Sequence, residues 1–115
     1  MQKSRNQKRQ TKHRKIRTHI SGTADLPRVC VFKSLHNFYA QVINDDNHTT
    51  LCAASTKELS NKANNIAAAK EVAKLLAAKL KAQKIEKIVF DRSGYIYHGK
   101  VSAFADTLRE EGIQF

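Results

Sequence analysis

Eight Lys and Arg residues fall between Met1 and His19, and no Asp or Glu precedes Asp25. A stretch of one charge sign at that density repels itself and carries too little apolar surface to form a core alone. It therefore divides the chain: residues 1–21 are expected to be a flexible basic arm, and residues 22–115 a single folded domain. The net charge is +11, and the eight arm residues supply most of it. The other 13 basic residues face all 10 acidic ones, which leaves only +3 on the body. A polyanion is the expected partner of such an arm.

The arm lacks the apolar run of an export signal. A mitochondrial presequence is also Arg-rich and acid-poor, but it needs an amphipathic stripe, and Ile16 and Ile20 are the only large aliphatic residues after Met1. Lys interrupts every apolar run well short of a membrane span. Cys30 and Cys52 lie in strand-like runs without metal-ligand spacing, so they read as reduced structural thiols.

A hydrophobic fraction of 41% over the whole chain is enough for a core in the body. "RVCVFKS", "NFYAQVI" and "TTLCAAS" predict three strands of an antiparallel meander, joined by "LHN" and by "NDDNH", whose Asn and Asp suit turns. In the second strand Phe38, Ala40 and Val42 share one face, and Tyr39, Gln41 and Ile43 the other. From Asn61 to Lys84 the Ala, Lys and Leu content predicts a helix, with Ile66, Ala69, Val72, Ala73, Leu76 and Leu80 as its core stripe. Lys70, Lys74 and Lys81 flank that stripe as a solvated edge. "EKIVF" follows as a buried strand, which a helical crossover would set parallel to a meander strand. A last helix from Lys100 to Glu111 buries Val101, Phe104, Ala105 and Leu108, and Gly112 stands at its left-handed cap. The terminal "IQF" is too apolar for a free tail. The fold class is α/β: a β-β-β-α-β-α mixed sheet of ribonuclease H-like topology, with two helices on one face or on both.

Nuclease chemistry on such a sheet needs several carboxylates converging on metal ions. The first strand offers Cys30 and Phe32 instead, Asp91 stands alone, and Asp45 and Asp46 belong to a turn. No nucleophile–base constellation or phosphate-binding loop motif is present. No catalytic residue, metal ligand, cofactor or small-molecule substrate is assigned. "VFDRSGYIYHGKV" reads better as a docking loop for structured RNA. Gly94 suits a turn, Gly99 precedes a helix whose N-terminus favours phosphate, and Arg92 and Lys100 bracket that point. Tyr95, Tyr97 and His98 can stack on bases or bond to phosphate and ribose, with one of the two tyrosines serving the core. Arg28, Phe32, Lys33, Ser34, Tyr39 and Gln41 add basic, aromatic and amide groups that suit either RNA contact or a second buried layer.

The run Asp91-Arg92, Gly94-Tyr95, Tyr97-His98-Gly99 with a following basic residue, together with "VFKS", "YAQVI" and "STKE", resembles the bacterial family of large-subunit ribosomal protein eighteen. The resemblance extends from the basic arm to Phe115. It implies a non-enzymatic α/β protein that binds 5S rRNA and helps attach it to 23S rRNA in the central protuberance, beside ribosomal proteins five and twenty-five. It implies a cytoplasmic ribosome, with an organellar one as the alternative. Carried onto this sequence, it implies rRNA contact for Arg92, Tyr95, Tyr97, His98 and Lys100, and for Phe32, Lys33, Ser34, Tyr39 and Gln41. The arm residues Lys8, Arg9, Lys12, Arg14, Lys15 and Arg17 match in character only. The sequence departs from the family pattern at Ser93, where a second glycine is usual, and at Leu26, which replaces a common Arg. A non-selective nucleic-acid-binding or chaperone protein is the alternative reading of the same charge.

Overall fold

β-Branched and aromatic residues at alternate positions build the sheet, and their alternation decides which face is buried. A computed structural model describes residues 4–17, 22–23, 26–59 and 64–115, leaving aside the side chains of residues 15–17. The elements are α1 (Arg5–Arg17), β1 (Arg28–Lys33), β2 (Phe38–Asn44), β3 (Thr49–Ser55), α2 (Ile66–Ala82), β4 (Val89–Asp91) and α3 (Lys100–Glu110), with a 3-10 turn at Thr56–Glu58. The sheet order is β3-β2-β1-β4. β1 pairs antiparallel with β2, placing Val31 opposite Ala40, and β2 pairs antiparallel with β3. β4 runs parallel to β1, with Val29 opposite Phe90. This is the mixed sheet expected from the meander and the helical crossover.

Val29 and Val31 of β1 and Phe38, Ala40 and Val42 of β2 point into one core with α2 and α3. From α2 come Ala69, Val72, Ala73, Leu76 and Leu80, and from α3 Val101, Phe104 and Leu108. Both helices therefore cover the same face. On the opposite face Cys30, Phe32, Tyr39 and Gln41 border an open hollow of about 490 Å³. Phe32 is exposed, so no second buried layer closes over it.

The ends of the helices follow from local chemistry. The Asn65 side chain accepts from the Ala68 N–H at 2.8 Å, which starts α2 several residues later than the Asn61 expected from composition. Ile66 consequently sits in the first turn and is 50% exposed, a correction to its expected place in the core stripe. At the end of α3 the Gly112 N–H donates to Arg109 O and the Ile113 N–H to Leu108 O, with Gly112 at φ +96°. These are the paired bonds of a Schellman cap, closed by the buried Leu108 and Ile113. The chain then returns along β4: Ile88 N–H donates to Gln114 O and Gln114 N–H to Glu86 O. Phe115 packs beside Phe90, which explains the apolar terminus.

The arm departs from expectation. Residues 5–17 form a helix, where a flexible segment was expected. Hydropathy patterning does not reveal it, because the helix has no apolar stripe. Its contacts with the body are polar, and they are part of the site. Ser21, Ala24 and Asp25 of the expected hinge lie outside the described residues.

Candidate nucleic-acid interface

The 91–100 loop is built around a buried carboxylate. Asp91, at the end of β4, is fully buried. Its Oδ1 accepts from the Ser93 N–H at 2.8 Å, and its Oδ2 accepts from Arg28 Nη1 at 2.8 Å and meets His13 Nε2 at 2.9 Å. The first bond folds the turn, and Ser93 adopts φ +56° and Gly94 φ +79°. Ser93 is thus an L-residue in the left-handed region, which glycine occupies more readily.

Gly94 has a further reason to lack a side chain. A Cβ there would collide with the Arg9 carbonyl oxygen and lie 2.8 Å from the His13 backbone nitrogen. The backbone of α1 rests directly on the loop. Arg9 Nη1 donates to Ser93 O at 3.0 Å, and its guanidinium lies 4.7 Å from the centre of the Tyr95 ring. Arg9 and His13 stand four residues apart and so share one helical face. His13 was absent from the sequence-based site, and the i, i+4 spacing was the only signal that could have found it.

Arg28 was expected at the RNA surface, and the structure places it inside. It donates from Nε to Asp45 Oδ2 at 3.0 Å, from Nη2 to Asp45 Oδ1 at 3.1 Å, and to Asp91. Burial opposes its charge, but the hydrogen bonds to Asp45, with the field of Cys30, Asp45 and Asp91, outweigh that and raise its pKa. This guanidinium joins the β2–β3 turn to the loop and has no free edge for a phosphate fork.

One of the two loop tyrosines was expected to serve the core, and it is Tyr95. Its hydroxyl accepts from the Lys33 N–H at 3.0 Å, and its ring packs on the core edge with Lys33 Nζ 5.0 Å from its centre. Tyr97 is 44% exposed; its hydroxyl donates to Asp106 Oδ1 at 3.2 Å and accepts from Arg109 Nη1 at 2.9 Å. His98 is exposed. Arg92 donates to the Tyr95 carbonyl, holding the turn closed. Gly99 caps α3 at φ +59°, ψ −124°, a conformation glycine alone takes easily.

Between α1 and this loop lies a groove of about 1000 Å³. Arg5, Lys8, Arg9, Lys12, Lys33 and Lys100 line it together with His98, and among the described residues that line it none is acidic. Burial lowers the Lys33 pKa, and repulsion from Lys100 lowers it further. An anion seated between these two ammonium groups would relieve that repulsion. Lys100 Nζ otherwise donates to Asn64 Oδ1 at 2.9 Å.

The remaining candidates are dispersed. Ser34 closes the β1–β2 hairpin, its Oγ accepting from the Asn37 N–H at 3.1 Å. Tyr39 and Gln41 border the hollow on the open sheet face, where Lys57 Nζ lies 5.6 Å from the Tyr39 ring centre. Arg14 is exposed on α1, while the side chains of Lys15 and Arg17 lie outside the described residues. Arg5, Ile66 and Ile96 line the groove without having been among the sequence-based site residues, Ile66 having been assigned to the core.

A family model described as ribosomal L18 of archaea, bacteria, mitochondria and chloroplast matches residues 3–115. The large ribosomal subunit protein uL18 of Mycoplasma mobile is 53% identical over 112 residues, 97% of this chain and 96% of its own length. That of Mesoplasma florum is 49% identical over 115 residues, the whole of both chains. That of Campylobacter hominis is 55% identical over 101 residues, 88% of this chain and 85% of its own. Matched almost from end to end, the chain belongs to the ribosomal L18 family, a structural and non-enzymatic constituent of the large ribosomal subunit.

Proposed function

We propose that the protein binds 5S rRNA and helps attach it to 23S rRNA in the central protuberance, beside ribosomal proteins five and twenty-five. The observation that carries this reading is the groove between α1 and the 94–100 loop, whose described wall has six Lys and Arg residues and no acid. Phosphate oxygens fit such a wall, and releasing their counterions drives binding. Shape selectivity comes from the rigidity of the loop: the Asp91 turn, the Tyr95 hydroxyl and the cap at Gly99 fix where the cations stand. An RNA whose phosphates follow that spacing gains several contacts at once, and a random duplex gains fewer.

Nothing in this mechanism transforms the ligand. Asp91, the one carboxylate at the loop's base, is occupied by Arg28, His13 and the Ser93 N–H. Lys8, Arg9 and Lys12 supply the arm's share of the groove, and Phe32, Lys33, Tyr95, His98 and Lys100 the body's. Arg28, Arg92 and Ser34 act by holding this surface in shape.

Competition between folded 5S rRNA and duplex DNA at physiological salt tests the reading. A selective binder retains 5S rRNA against excess DNA; equal displacement would favour a non-selective nucleic-acid chaperone. With about six to ten phosphates contacted, affinity should fall by roughly three to five decades between 50 and 200 mM salt. Removing residues 1–19 should flatten that dependence.

A further inference from the structure

We infer that the floor of the groove, formed by Phe32, Ile66 and Ile96, seats one unpaired nucleobase of the RNA whose phosphates the rim holds; the inference rests on the RNA-binding reading above. Ile96 is 70% exposed, and Ile66 and Phe32 are each 50% exposed. A single exposed aliphatic residue is ordinary. These three come from β1, from the first turn of α2 and from the 91–100 loop, and all line one concavity. The core does not require Ile66: Ala69, Val72 and Ala73 pack inward while it faces the groove.

The ligand class follows from the pairing of floor and rim. The floor is apolar, and the rim carries Lys33, Lys100 and the α1 cations without a carboxylate. A nucleotide has the matching halves, a flat face with little charge and an anionic backbone. Tyr95 is poorly placed to take the base itself, because Arg9 and Lys33 lie over its ring and its hydroxyl is bonded to Lys33. Phe32 is the free aromatic of the floor, braced by the Tyr39 ring at 5.9 Å. Base-paired RNA cannot offer such a face, so the floor discriminates a bulged or looped nucleotide from a stem.

The test uses the full chain and a short RNA hairpin carrying 2-aminopurine at one bulged position, beside the same hairpin with 2-aminopurine paired in its stem. Binding should change the emission of the bulged probe and leave the paired probe unchanged. Phe32→Ala/Ile96→Ala should weaken binding of the bulged hairpin by about tenfold or more, and binding of a blunt duplex of the same length, with neither bulge nor loop, by distinctly less. Ile96→Ala alone, in an exposed loop, should give a smaller loss in the same direction and guards against a folding defect. Equal emission changes in both probes, or unaltered binding by both variants, would overturn the inference. An acidic peptide with aromatic residues that displaces the hairpin at equal concentration would assign the floor to a protein partner instead. Failure of the 5S reading is seen separately, as loss of preference for 5S rRNA over duplex DNA by the unaltered chain.

Discussion

α1 and α2 are both lysine-rich helices, and they are held to the molecule by opposite means. α2 buries Ala69, Val72, Ala73, Leu76 and Leu80 against the sheet and leaves Lys70, Lys74 and Lys81 in solvent. α1 has no such stripe. It is attached by Arg9 to Ser93 O, by His13 to Asp91, and by backbone seated on Gly94. Hydrophobic burial is indifferent to a nearby polyanion, whereas ionic and polar contacts compete with phosphate and weaken with salt. The difference separates a helix that makes the fold from one that, in the proposed function, makes the binding surface. Cations at Arg5 and Arg9, and at Lys8 and Lys12, repel along α1 at i, i+4 spacing. A helix of 13 residues is marginal alone. The body supplies its template, and RNA phosphates would remove its repulsion.

The largest effect should come from the core of α2. Leu76 is fully buried, so Leu76→Ala should lower unfolding free energy by about 2–5 kcal/mol. Deleting residues 1–19 should change it by only about 1–2 kcal/mol, the scale of one or two net hydrogen bonds. Chemical denaturation of the three chains measures both. A deletion as destabilising as Leu76→Ala would break the contrast, because α1 would then belong to the fold.

Gly94→Ala should separate attachment of α1 from stability of the body. The new methyl group would occupy the position of the Arg9 carbonyl, and the positive φ would add about 1–2 kcal/mol of strain. Far-UV circular dichroism should lose the signal of α1, while the cooperative transition of the body persists at a lower midpoint. Retention of the full helical signal would show that α1 tolerates displacement from its seat.

The smallest effect lies at the far end of α2. Lys84 takes φ +61° after that helix, and Ile85 N–H donates to Leu80 O at 2.9 Å. This is the cap geometry that Gly112 provides for α3, made here with a side chain that disfavours it. Lys84→Gly should therefore raise stability by about 1 kcal/mol without altering RNA affinity. A change in RNA affinity would place that end of α2 in the interface.

The contrast also explains what could be read from sequence. Alternation in "NFYAQVI" set Phe38, Ala40 and Val42 on one face, because a meander strand buried on one side must alternate, and the structure buries that face. Helical spacing placed Leu76 and Phe104, and the parallel setting of β4 followed from its crossover. What escaped were contacts between charged groups distant in sequence. Arg28 looked like an RNA ligand because nothing local reveals that Asp45 and Asp91 converge on it. The helix α1 escaped because its periodicity is carried by Arg5, Arg9 and His13, and hydropathy is blind to that row. Tyr95 and Tyr97 share a parity on the chain, so only the fold could separate the packed ring from the exposed one.

The central claim is that the groove between α1 and the 94–100 loop grips one folded RNA selectively. The most direct measurement is to incubate the intact protein with total rRNA at 150 mM salt or above and identify the species retained. Strong enrichment of 5S rRNA over its share of the mixture is the expected result, abolished when residues 1–19 are removed and Lys33 and Lys100 are replaced by Ala. Retention of all species in proportion to their mass would contradict it.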